Sequence, residues 1–183
     1  MNTKMNKMVL LSALTIVIIG TIGAALAGEP GEQTVDLIAG GGGDEGLDVG
    51  NVTVWNNSEN IFVKFTTTGD WLFNETHLHI AAQGDVETPA EEIPQTKKGN
   101  PKPGKFDYST EHESCITEYT YEISLDDIPD SDILVIAAHA AVELEVEELG
   151  EIIIFEESAW GNGTEFAEDR NWAMYFTYMI PSE

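Results

Sequence analysis

Residues 117 to 125 alternate without a break. Tyr119, Tyr121, Ile123 and Leu125 take one side, while Glu118, Thr120, Glu122 and Ser124 take the other. An extended chain projects successive side chains to opposite faces, so this spacing predicts a half-buried strand. The pattern recurs. Val52 to Trp55 and Ile61 to Phe65 flank the polar turn Asn56–Asn60 and read as a β-hairpin. Trp71 to Ala82 reads as a long strand, and Thr34 to Ala39 as the first. Asp132 to Val146 and Glu151 to Glu156 flank Glu147–Gly150 as a second hairpin, and Trp172, Met174, Phe176, Tyr178 and Ile180 close the chain at period two. Outside the first residues no window holds a 3.6-residue period. The one helical hint is a turn at Leu125–Ile128, stopped by Pro129. About eight short strands with polar turns predict an all-β fold, an antiparallel β-sandwich of Ig-like or jelly-roll-like kind, with barrel closure as the alternative.

The N-terminus reads as a secretory leader. Lys4 and Lys7 precede the apolar run Val9–Ile22, and Ala25-Leu26-Ala27 supplies a small-x-small cleavage site. This predicts a signal peptide over 1–27 and a single domain over 28–183. An uncleaved anchor is the alternative, because Val9–Ala27 is 19 residues, near the ~20 that span a bilayer. No second apolar run is long enough to span, so no membrane insertion is expected after cleavage. The expected location is extracellular or at the cell surface.

Charge narrows the partners. The chain carries 33 acidic and 8 basic residues, and removing Lys4 and Lys7 with the leader leaves six against 33, a net −27. Phosphate neutralisation needs clustered Lys and Arg, so nucleic acid is excluded as a partner, and anionic lipid is disfavoured. Solubility in a saline habitat, divalent-cation binding and recognition of a basic partner each account for such acidity. With 42% apolar content in regular alternation, disorder is not expected.

Gln83–Ile116 breaks the pattern: 34 residues with Pro89, Pro94, Pro101 and Pro103 and no strand period. It also holds Lys97, Lys98, Lys102 and Lys105. Such a loop could offer a surface to an acidic partner. The favoured expectation is that it lies across the protein's own acidic face, pinned by charge and by Phe106 and Tyr108.

Several stretches together carry a resemblance. Asp36–Gly40, Val49–Val54, Glu75–His79, Ile93–Pro101, Ile136–Ala140, Ala159–Gly161 and Asn171–Ala173 with Tyr175–Phe176 resemble a family of exported, largely uncharacterised prokaryotic β-sandwich surface domains. The resemblance spans most of the chain after the leader, with the Pro/Lys loop its most specific element. Gly40–Gly46 and Gln83–Glu92 look longer than the usual pattern. It implies fold and location, and it carries no catalytic residues.

Candidate chemistry is sparse. Glu75, His77 and His79 lie two apart and face one way on a strand, and His139 sits mid-strand elsewhere. Together they could make a zinc or copper site if the two strands pair. The plainer expectation has one or two of these histidines hydrogen-bonded at the core and His79 exposed. Asp126, Asp127, Asp130 and Asp132 crowd one turn as a candidate calcium cluster, and Asp44, Glu45 and Asp48 crowd another, neither with an EF-hand loop. Sequons stand at Asn51, Asn56, Asn74 and Asn162, candidates for glycosylation. Cys115 is the single cysteine, which excludes an intrachain disulfide and reads as a packed or incidental thiol. Trp55, Trp71, Trp160 and Trp172 could stack on sugar rings, but core packing is the better expectation. No serine-histidine-acid arrangement, phosphate loop or dinucleotide fingerprint is present. The expectation is a non-enzymatic extracellular binding or structural module, its partner a surface polymer or a protein. An exported metal-binding protein using calcium, zinc or copper is the alternative, and a secreted hydrolase ranks below both.

Overall fold

The computed structural model describes residues 31–41, 46–85, 87–168 and 170–181. The leader and the acidic group at Asp44–Glu45 therefore lie outside the described residues.

Among the described residues ten strands run in chain order: β1 Gln33–Ala39, β2 Leu47–Asn56, β3 Asn60–Thr67, β4 Trp71–Ala82, β5 Tyr108–Ile116, β6 Glu118–Ser124, β7 Ile133–Glu148, β8 Glu151–Gly161, β9 Thr164–Glu165 and β10 Met174–Met179. The helical hint becomes a single 3-10 turn at Leu125–Asp127, capped by the Ser124 hydroxyl on the Asp126 amide. The all-β, antiparallel expectation is met.

Hydrogen bonding links the strands in one path, β5-β4-β7-β8-β1-β2-β3-β6, with β10 beside the first half of β7. The sheet curls as a half-barrel, so its ends approach. Phe65 of β3 meets Phe73 of β4 edge-on at 6.1 Å, although the two strands lie far apart along the path. Side chains bridge the gap at the sheet's ends. Tyr121 of β6 donates to the Thr76 carbonyl of β4 at 2.9 Å, and Thr110 of β5 donates to Tyr119 of β6 at 3.2 Å. The concave core holds Val52, Val54, Val63, Phe65, Leu78 and Ile136, all fully buried. Burial of this kind is the main favourable term in folding.

Both expected hairpins form. β2 pairs with β3 around Asn56↔Ile61, and β7 with β8 down to Glu148↔Glu151. The second closes on Leu149 and Gly150, at φ 54° and 84°. Left-handed backbone at both central positions matches the twist of the flanking strands.

A bulge in β4 decides what each face carries. Phe73 lies opposite Val142 but Glu75 lies opposite Ala141, so Asn74 is one residue extra. Before it Trp71 and Phe73 point into the concave core; after it Leu78 and Ile80 do. Glu75, His77, His79 and Ala81 are thereby turned to the convex face.

A second, smaller core covers that convex face. Ala81, Val135, Ala137 and Trp160 pack beneath Ala90, Ile93, Phe106 and Tyr175. Here the expected Pro/Lys loop is corrected twice. Its last part is strand β5, paired along β4 from Leu78↔Tyr108 to Phe73↔Ile116. The rest is anchored by apolar contact rather than by charge. Lys97, Lys98, Lys102 and Lys105 all point to solvent, and the one lysine ion pair among the described residues is Lys64–Glu118 at 2.7 Å. The closing segment is corrected as well. Phe176, Tyr178 and Ile180 join the concave core, whereas Trp172 and Met174 pack with the convex one, because pairing with β7 begins only at Phe176.

Candidate functional site

β4 and β7 do pair, and they set His77 opposite His139. The two rings lie 5.2 Å apart, centre to centre, and His139 leans on Trp160 at 4.7 Å. Each ring is held at Nε2. His77 Nε2 lies 3.1 Å from Glu75 Oε1, and His139 Nε2 lies 2.7 Å from the Ser158 hydroxyl. At the other nitrogen, Nδ1, both rings are buried and unpartnered. A neutral imidazole held by its Nε2–H leaves a lone pair on Nδ1. Burial, with His77 second, lowers the pKa of His139 to about 3, so the ring is uncharged at neutral pH.

His79 does not join them. Alanine faces it across the ladder, at Ala137, and its ring packs on Phe106 at 5.7 Å. It is buried rather than exposed, because the loop carrying Phe106 closes over it. Its Nδ1 lies 3.2 Å from Asp107 Oδ2 without hydrogen-bond alignment. Burial lowers its pKa, against the opposing pull of Asp107. Among the described residues no three His, Cys, Asp or Glu side chains converge as a metal site. The four-residue set thus resolves into a pair, His77 with His139, a carboxylate behind it at Glu75, and a separate His79.

The aspartates Asp126, Asp127, Asp130 and Asp132 are all exposed on the path from β6 to β7. Asp127 lines, with His79, Glu92, Asp107 and Tyr108, an open cleft of about 580 Å³. Of the sequons, Asn162 is exposed just beyond β8. Asn51 sits within β2 opposite Asp36 and Thr66, and Asn56 accepts from the Tyr178 hydroxyl at 2.6 Å. Asn74 is engaged at the bulge: it donates to Glu143 at 2.9 Å and accepts from Cys115 at 2.9 Å. Cys115 also donates to Glu143 at 3.0 Å, which, with burial second, raises the thiol pKa, away from nucleophilic use. Trp71 and Trp160 are buried, and Trp55 stacks on Phe62 at 5.1 Å, so packing accounts for them.

The most conspicuous surface is one that alternation did not flag. Beyond Val142 the β7–β8 hairpin runs on as an arm, and its apolar residues stay open: Ile152 is 69% exposed, Ile154 53%, Phe155 49% and Leu149 fully. On its concave side Leu144, Val146, Ile153 and Phe155 line a groove of about 480 Å³ that reaches Trp71 and Leu47. A sequence signal was there. Ile152-Ile153-Ile154-Phe155 is an unalternating apolar run, which demands cover on both faces. Among the described residues full cover is absent, and all four stay more than a third exposed.

No protein-family model, curated protein or solved structure matches the chain. Fold and surface define an all-β protein on a curled antiparallel sheet, with one sealed convex patch and one bare arm.

Proposed function

We propose that the chain is a non-enzymatic, exported binding or structural module that works at the cell surface and engages its partner through the β7–β8 arm. The observation that carries this reading is the arm itself: a row of large apolar side chains left in water, framed by glutamates. Contiguous exposed apolar surface of this kind marks interaction sites. The leader at 1–27, the four sequons and the resemblance to exported surface domains support the location. The finer account of the curl as a sandwich belongs to the same proposal. It places β5-β4-β7-β8 across a shared core from β1-β2-β3-β6, and contacts such as Phe65–Phe73 support it. The test is saturable binding of the labelled chain to envelopes of the producing cell, compared with a variant whose arm is shortened between Val146 and Ile153. Binding lost with the arm supports the reading. Binding unchanged by the shortening overturns the arm's role, and turnover of a glycan or peptide panel, abolished by one carboxylate substitution, overturns the non-enzymatic class.

A second reading is favoured by the two buried, unpartnered Nδ1 atoms. Ligating histidines typically offer one nitrogen to the metal while a carboxylate or hydroxyl holds the other. His77 with Glu75, and His139 with Ser158, have that arrangement. In this reading the pair supplies two ligands of a zinc or copper centre. Elemental analysis of chain purified without added metal checks it, and under about a tenth of an equivalent, unchanged in His139→Gln, sinks it.

A further inference from the structure

Strand β8 is served on one side only for most of its length. Along β7 its ladder runs unbroken from His139↔Trp160 to Glu148↔Glu151. On the other side β1 covers only Ala159, Trp160 and Gly161, and the chain then turns away at Gly40, whose amide makes a last bond to the Ser158 carbonyl. Among the described residues, Glu151 to Glu157 therefore leave a row of backbone N–H and C=O groups without a strand partner. That is seven residues, roughly 24 Å of extended chain.

Proteins usually guard such an edge with lysine, proline or a bulge. Here the unpaired stretch holds Ile152, Ile153, Ile154 and Phe155 and is continuous with the concave groove on Leu144, Val146 and Trp71. The fully exposed Leu149 at the tip sits at positive φ, where asparagine or glycine would be easier. Two chemical demands thus meet at one place: main-chain groups wanting a strand, and side chains wanting apolar cover.

The charge around them selects the strand. Residues 143–157 contain seven glutamates, at 143, 145, 147, 148, 151, 156 and 157, and no lysine or arginine. A second copy of this arm would bring another seven into the same contact. Like charges across adjacent strands oppose pairing, and opposite charges favour it.

We propose that the free edge of β8, from Glu151 to Glu157, accepts an extended segment of another protein by strand addition. That segment alternates apolar residues with small polar ones and carries lysine or arginine at its ends. Main-chain bonds supply the affinity, the concave groove takes alternate apolar side chains, and the glutamates take the basic ends. This rests on the reading of the arm as the docking surface and names the partner's chemistry.

The probe is a synthetic nine-residue peptide of alternating valine and threonine with lysine at both ends. It is titrated calorimetrically into the full chain at low and high salt, with amide hydrogen exchange followed along β8. Expected is one-to-one binding that slows exchange within Glu151–Glu157. It should weaken about tenfold when the peptide's alternate amides are N-methylated, and by a similar factor in the Ile153→Lys, Phe155→Lys double variant of the groove. High salt weakens it further. Equal binding of the N-methylated peptide, or of one with glutamate ends, overturns the proposal. So does absence of binding, or a dimer of the chain that protects the same amides and strengthens with salt. Envelope binding that still depends on the arm would leave the broader reading standing in each of those cases.

Discussion

From Leu134 to Ala138 every residue of β7 is buried, with Leu134, Ile136 and Ala138 in the concave core and Val135 and Ala137 beneath the Pro/Lys loop. Roughly 20–30 Å further along the sheet, Ile152, Ile154 and Phe155 of β8 are about as apolar and about half or more exposed. Both stretches are apolar and hydrogen-bonded into the sheet, the root to β4 and β10 and the tip to β7. The difference is what lies above and below. At the root the curl supplies one cover, and Ile93, Phe106 and Tyr175 supply the other. At the tip the strands have outrun both. Strand length against the reach of the neighbours, rather than hydrophobicity, decides where this protein is core and where it is surface.

The sharpest way to break that contrast is at the bulge. Inserting one alanine between Glu75 and Thr76, just past the bulge, would swing Leu78 and Ile80 outward and drive His77 and His79 into the concave core. A flipped register of this kind should abolish the cooperative thermal transition, because several buried apolar side chains would be exchanged for imidazoles at once. Next in size is a matched pair of truncations. Ile136→Ala at the root should cost about 2–5 kcal/mol in urea unfolding, whereas Ile154→Ala on the arm should stay within about 0.5 kcal/mol. Equal losses would mean that the arm is covered after all.

A third test uses the convex face. His139 is held neutral in the fold, with its pKa lowered from 6.5 to about 3 by burial first and His77 second. The unfolded chain therefore takes the proton first, so this stabilisation is whole above pH 6.5 and is lost as the pH falls toward 3. The slope cannot exceed about 1.4 kcal/mol per pH unit. Between pH 7 and 5 the wild type should lose about 2 kcal/mol more than His139→Gln, read from urea melts of both. Parallel losses would place the ring in water. The smallest effect is expected at the tip. Leu149→Asn suits a left-handed turn position better and should raise stability by about 0.5 kcal/mol, with no change elsewhere.

How much of this was legible depended on whether one strand's own pattern sufficed. The half-buried strand at Glu118–Ser124 and the hairpin around Asn56–Asn60 were readable, because alternation and a polar turn are local facts. β5 was not. Tyr108–Ile116 carries Glu111, His112 and Glu113 between its apolar ends, so it has no period of its own, and only the edge of β4 makes it a strand. The Pro/Lys loop was expected on an acidic face because its lysines are counted easily. Phe106 anchors it as expected, but with Ile93 and without the charge, against a convex patch that exists only once the strands are side by side. For the site, the common face of Glu75, His77 and His79 followed from spacing, while the meeting of His77 with His139 needed the register of β4 on β7. Nothing in the spacing separated His79 from the other two, since that division came from the loop folding over it.

The sequence by itself determined that the chain is built of strands, that its turns fall where they do, and that its surface is overwhelmingly acidic. Those properties live in the order of neighbouring side chains, where a period of two has one geometric meaning. Tertiary structure alone decided which face of β4 is inside, which histidines meet, and which apolar residues go uncovered. Each of those depends on one inserted residue, on the register between strands far apart in the chain, or on how far a neighbour extends, and none of these leaves a trace in local composition.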